Sequence, residues 1–202
     1  MLNCTKTVDE QDETGNPIKP FPDKPYFKPV LQAMDNETTL FIEKSRTMML
    51  SWTGAAWAMH KMGTRPATGV LVQSEDEDRA TNFVKYAKAL WEQSTPEIQA
   101  RWQPKGGRLP GQQPYNEFHL ANKSWIKGIP GNPDKVRSEH PFCVIFDEAA
   151  HMTMGEAAFN IAQATRCKKI FCISSAKPGW FRDLTKDAQM EHWPYTDAEN
   201  AA

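Results

Sequence analysis

The sequence predicts an α/β domain built on a mainly parallel central sheet flanked by helices. Three observations carry that expectation. Strand-like and helix-like segments alternate along the chain. Several strand-like runs, such as CVIF at 143–146, are apolar at every position, the mark of a strand covered on both faces. Two of these runs end in charged or hydroxyl residues, where open α/β sheets bind their ligands.

The elements follow in order. Residues 1–29 are polar and turn-rich and read as an arm or hairpin lying on the core, which spans 30–184. YFKPVLQAMDN is a short helix ending near Asn36, and TTLFIE is a strand. SWTGAAWAMHKMG is a helix with Ala55, Ala56, Met59 and Met62 on one face and Gly63 as its C-cap. TGVLVQ is the next strand. SEDEDRATNFVKYAKALWEQS then opens a helix with Ser74 as N-cap and acids in its first turn. Residues 103–116 form a Gly/Pro-rich loop, and EFHLANKSWIKGIP is a hairpin turning near Ala121 and Asn122. FCVIFDEAA and KKIFCISSA supply two further strands.

Composition narrows the function classes. A chain of 202 residues, 40% hydrophobic and 24% charged, buries one substantial core. Its formal net charge of -1 sets up no global basic field, leaving a local basic face as the route to nucleic acid. Cys4, Cys143, Cys167 and Cys172 form no C-x-x-C pair, so reduced thiols are expected rather than a zinc site. The first residues lack an apolar signal core and no run reaches membrane-spanning length, so a cytoplasmic protein is expected.

The chemistry concentrates in KSRTMMLS, between a strand and an Ala-rich helix. On the phosphate-loop frame G-x-x-x-x-G-K-[ST], Lys44 takes the first position, Met49 the second glycine, Leu50 the lysine and Ser51 the metal-binding hydroxyl. The lysine is displaced to the strand end, from where Lys44 can fold back over phosphates, and Arg46 adds a second cation. Alone, the pattern better suits an ordinary strand-to-helix turn with solvent-reaching Lys44 and Arg46. A second motif shifts the balance. The apolar run 143–146 delivers Asp147 and Glu148 to a strand's C-terminal edge, Asp147 placed to hold magnesium and Glu148 to polarise an attacking water. A solvated acid pair at a strand end does not explain why two such motifs share one α/β chain. A third strand ends in Ser174, Ser175 and Ala176; in isolation this suits a simple strand end better, and in company with the other motifs the hydroxyls could sense a γ-phosphate or that water.

Taken together, KSRTMMLS, FDEAA and SSA resemble the ATPase half of the large terminase subunit of tailed bacteriophages, the motor that packages viral DNA. The match falls on Lys44, Ser45, Arg46 and Ser51, on 146–150, and on 174–176. The resemblance implies a RecA-like P-loop ATPase that takes ATP and Mg2+ along Lys44, Ser45, Arg46, Thr47, Met48, Met49, Leu50 and Ser51. Metal would sit on Ser51 and Asp147, and coupling would run through 174–176. It implies adenine support from the upstream segment, with Tyr26, Phe27 and Gln32 as candidates. It implies an arginine before the acidic strand, Arg137, acting in trans beside catalytic Glu148 and Arg46; a solvent-facing arginine is the alternative. Implied partners are double-stranded DNA, a portal protein, a small terminase subunit and further copies in a ring. Two departures stand out: Met49 replaces the family's glycine, and residues 185–202 read as a tail or linker start, with no nuclease domain expected. The rival readings are a helicase-like DNA translocase and a non-hydrolysing nucleotide-binding or scaffold domain.

Overall fold

The computed structural model describes residues 2–9, 12–137 and 139–186; the tail expected at 185–202 lies almost wholly outside them. β1 (Lys6–Val8) and β2 (Ile18–Pro20) form an antiparallel hairpin. Then come α1 (Phe27–Asn36), β3 (Thr39–Lys44), α2 (Leu50–Thr64), β4 (Gly69–Gln73), α3 (Glu77–Glu92) and α4 (Pro96–Arg101). The hairpin β5 (Glu117–His119) and β6 (Trp125–Ile129) follows, then α5 (Asp134–Arg137), β7 (Cys143–Asp147), α6 (Gly155–Ala164), β8 (Lys169–Ser175) and α7 (Trp180–Lys186).

The described residues form a six-stranded sheet in the order β3-β8-β7-β4-β6-β5. Its pairings are parallel except β5 with β6. The order has one consequence for the site. β8 lies between β3 and β7, with Lys44 level with Ser175 and Asp147 level with Ile173. All three motifs therefore end at one edge of the sheet, side by side.

Two apolar layers sandwich the sheet, and β7 shows how. Cys143 and Ile145 face the cluster built with α1, α2 and α3, whereas Val144 and Phe146 face the cluster built with α6 and α7. That is the two-residue period of a strand, with each face covered. It explains why the run is apolar throughout. Among the described residues, no helix is long and apolar enough to cross a membrane.

Two local expectations are corrected. Gly63 is not a C-cap; it lies inside α2, which Arg65 closes. Its role is close approach, since a Cβ there would stand 2.1 Å from the Trp102 ring. Ser74 is not the N-cap of α3; Asp76 is, accepting from the Arg79 N–H. The Ser74 hydroxyl is committed elsewhere, donating to the Asp147 carbonyl at 2.9 Å.

Candidate active site

Residues 45–49 carry the chain from β3 into α2. Thr47 and Met49 both adopt left-handed backbone, at φ 67 and 52. Non-glycine residues pay about 1–2 kcal/mol for this conformation. The bend survives without glycine because it is held from several sides. The Met49 carbonyl accepts from the Thr53 N–H and hydroxyl, and the buried Tyr26 hydroxyl donates to the Met48 carbonyl at 3.3 Å. The loop holds the shape a glycine favours without carrying one.

At the start of α2, the Ser51 hydroxyl donates to Asp147 Oδ1 at 2.8 Å. The Lys44 ammonium, only 9% exposed, meets Glu148 Oε1 at 2.7 Å. The lysine thus turns into the site, where its partner is Glu148. Glu148 itself stands at φ 54, a third left-handed non-glycine residue at this edge. Beyond it, Ser175 Oγ lies 3.5 Å from Glu148 Oε2 and 3.0 Å from His151 Nε2, while Ser174 Oγ accepts from the Ala150 N–H. Ala176 directly follows β8.

The two carboxyls are driven apart. Burial pushes Asp147 up to about 6, aided by the Glu148 charge and opposed by the Ser51 hydrogen bond. Burial also acts on Glu148, but the Lys44 hydrogen bond and charge, the Ser175 N–H and the His151 charge hold it below the usual carboxylate value. Such a split assigns different jobs to neighbouring acids. Here Glu148 stays ionised and fit to accept a proton or orient water, while Asp147 is a buried carboxyl with room for a cation's charge.

The loop divides two cavities. One, of about 410 Å³, is lined by Arg46, Arg79, Glu148, His151 and Ser175. The other, of about 460 Å³, borders Thr47 and Met49 and is walled by the stacked rings of Trp52 and Tyr86 and by Pro20 and Pro22.

The remaining sequence-predicted residues fall in different places. Met48 and Leu50 are each 2% exposed and belong to the core, so only their backbone can face a phosphate. The Ser45 hydroxyl is buried with no hydrogen-bond partner among the described residues. Tyr26, 2% exposed, braces the loop from beneath and offers no open ring face. Gln32 lines a separate cavity with Phe21, Phe27, Leu31 and Asp35, away from the loop, because the exposed side of α1 faces that way. Arg137 is not brought to Glu148; its side chain is 66% exposed, 3.7 Å from Asp134, beside His140 and Arg166. Sequence reasoning missed Arg79, His151 and Ser74. Ser74 and Arg79 follow the C-terminal end of β4, the neighbour of β7, and that placement was the available signal.

No family model and no curated protein matches the chain. Solved structures do. The chain is similar to the large terminase ATPase domain of Thermus phage P74-26, at 17% identity and a TM-score of 0.53, over 81% of this chain and 68% of that one. It is similar to the large terminase of bacteriophage HK97, at 12% identity and a TM-score of 0.63, over 91% of this chain and 40% of that one. It is also similar to the N-terminal domain of the DNA packaging ATPase of bacteriophage phi29, at 13% identity and a TM-score of 0.52, over 84% and 91%. The fold is the one these ATPase domains share, and the chain spans well under half of the HK97 protein.

Proposed function

We propose that the chain is the ATPase domain of a viral DNA-packaging motor, hydrolysing ATP with magnesium to drive double-stranded DNA into a procapsid in the host cytoplasm. One observation carries the reading. Two contacts, Ser51 with Asp147 at 2.8 Å and Lys44 with Glu148 at 2.7 Å, join the phosphate-loop strand end to the acidic strand end. They do so on a fold shared with packaging ATPase domains.

The donors fit magnesium. Among the described residues no three His, Cys, Asp or Glu cluster around a metal position. Magnesium does not need such a cage, because one or two protein oxygens plus substrate phosphates suffice. Ser51 Oγ and Asp147 Oδ1 supply those oxygens, and the elevated Asp147 carboxyl is what a buried acid shows when a cation would relieve it. When bound, the metal would neutralise charge on the β- and γ-phosphates.

The chain's own residues do the rest. Lys44 and Arg46 neutralise phosphate oxygens, while Glu148 orients a water in line with the γ-phosphate and draws its proton. Lys44 must first leave Glu148, so the isolated chain turns over slowly. The 174–176 segment, touching Glu148 and Ala150, passes the change at the site to the rest of the domain. Arg137, exposed and remote from its own Glu148, would serve a neighbour's nucleotide in a ring seated on a portal, with a small subunit delivering the DNA. A trans arginine is worth about 10³–10⁵ in rate in this chemistry.

The test is Glu148→Gln. Equilibrium binding of ATP with magnesium should persist while phosphate release falls to background. Turnover at the wild-type level in the variant would remove Glu148 from this role. Absence of binding by the wild-type chain at millimolar nucleotide would favour the scaffold reading.

A further inference from the structure

His151 lies four residues beyond Asp147, at the end of the short turn Ala149–His151, and has no place in the mechanism above. Its Nε2 is 3.0 Å from Ser175 Oγ, and the same oxygen is 3.5 Å from Glu148 Oε2. An ionised carboxylate only accepts hydrogen bonds. The Ser175 proton therefore belongs on the Glu148 side. Ser175 then accepts from the imidazole, and Nε2 is the nitrogen that carries hydrogen. The chain of contacts runs from His151 through Ser175 to one oxygen of Glu148, while Lys44 holds the other.

The other charged groups around Glu148 do not duplicate this. Arg46 comes from the loop and lines the same cavity. Arg79 comes from α3 and is paired with Glu75 at 3.1 Å and Asp76 at 3.4 Å. Asp147 repels Glu148 and is occupied by Ser51. Once Lys44 turns to a phosphate, the donors left to Glu148 are those of Ser175.

We propose that His151 is a positioning residue: seated on Ser175, it aims the Ser175 hydroxyl at Glu148 and fixes the carboxylate when nucleotide draws Lys44 away. The role rests on the ATPase reading. The long Ser175–Glu148 distance fits a resting state in which Lys44 pulls the carboxylate to its own side. Closing that distance in the working state converts a loose contact into a charge-assisted hydrogen bond.

Two measurements test it. Nitrogen-15 spectra of the imidazole in the free chain should show hydrogen on Nε2; a neutral ring protonated only on Nδ1 overturns the proposal. Single-turnover ATP hydrolysis should fall about 10- to 100-fold in His151→Ala, the value of one hydrogen bond to a charged group, with ATP affinity unchanged. His151→Gln, whose amide can donate from a similar position, should recover most of the rate. Ser175→Ala, should His151→Ala fold poorly, must reproduce the loss. Wild-type rates in a folded His151→Ala chain sink the positioning role and leave the ATPase reading intact. No turnover by the wild-type chain sinks the ATPase reading, and the spectrum then decides whether the His151–Ser175 contact exists.

Discussion

The two strand ends that make the site are built differently. β7 sits in mid-sheet with neighbours on both sides, and all five of its residues are buried. β3 is the edge strand, bonded to β8 alone among the described strands, with one of its residues fully buried. Each is followed by left-handed non-glycine backbone near the chemistry: Glu148 directly after β7, and Thr47 and Met49 in the loop after β3. The acidic half is held by the sheet; the phosphate half is held by a few side-chain and carbonyl bonds and by the buried Met48 and Leu50 side chains. The contrast teaches that the acids are prearranged, whereas the loop has freedom to adjust to what it binds.

The two halves are tied at Lys44, so removing that tie should have the largest effect. In Lys44→Ala, Glu148 loses its partner while still largely shielded, at 28% exposed. Breaking a buried pair costs roughly 3–5 kcal/mol, and partial exposure brings the expectation here to about 1–3 kcal/mol. Turnover should fall by at least about 10²-fold, as for other lost charge-stabilising donors. Denaturant melts and phosphate release on one preparation check both. A folded variant that retains wild-type turnover would mean the loop half works without its displaced lysine.

The acidic half can be sharpened by pH. Asp147 holds its proton to about 6 in the fold, against an ordinary 3.8. A carboxyl raised in this way favours the folded state fully at low pH, and that contribution disappears as pH rises through 6. Glu148, shifted the other way, is already ionised across this window. Wild-type stability should therefore drop by on the order of 1 kcal/mol between pH 5 and 7. Asp147→Asn, which has no proton to lose, should flatten that slope. Parallel pH dependence in the two proteins would show that Asp147 is not the buried, strained acid of this site.

What the sequence disclosed follows the same divide. β7 was legible because burial on both faces writes a continuous apolar run, and the acids at its end follow from the rule for open sheets. β8 and α2 were legible for similar reasons. The placement of β8 between β3 and β7 was not, because strand order depends on contacts far apart in sequence. Ser74 carried a local capping signal, yet its hydroxyl bonds a carbonyl 73 residues away and Asp76 caps the helix. Gln32 was placed by resemblance, and α1 turns it into a different cavity. Met49 departs from the glycine that the resemblance implies. The missing fact was that the backbone there is already glycine-like, which no side-chain pattern encodes.

Met49 also gives the finest test of the contrast. Replacing it with glycine removes the cost of left-handed backbone, about 1–2 kcal/mol, but adds about 0.5–1 kcal/mol of unfolded-state freedom. It also removes a side chain that packs partly against the core beside Trp52. A fully buried methionine would be worth roughly 2–5 kcal/mol, and half-burial takes the lower part of that range or less. The terms nearly cancel, so the melting temperature of Met49→Gly should stay close to wild type. Binding should respond more, because the open backbone lets a phosphate approach the loop's N–H groups. ATP affinity should rise a few-fold, read by calorimetry on the protein used for the melt. A large loss of stability with unchanged affinity would make Met49 a core anchor, and the loop would then be as firmly built as the acidic strand end.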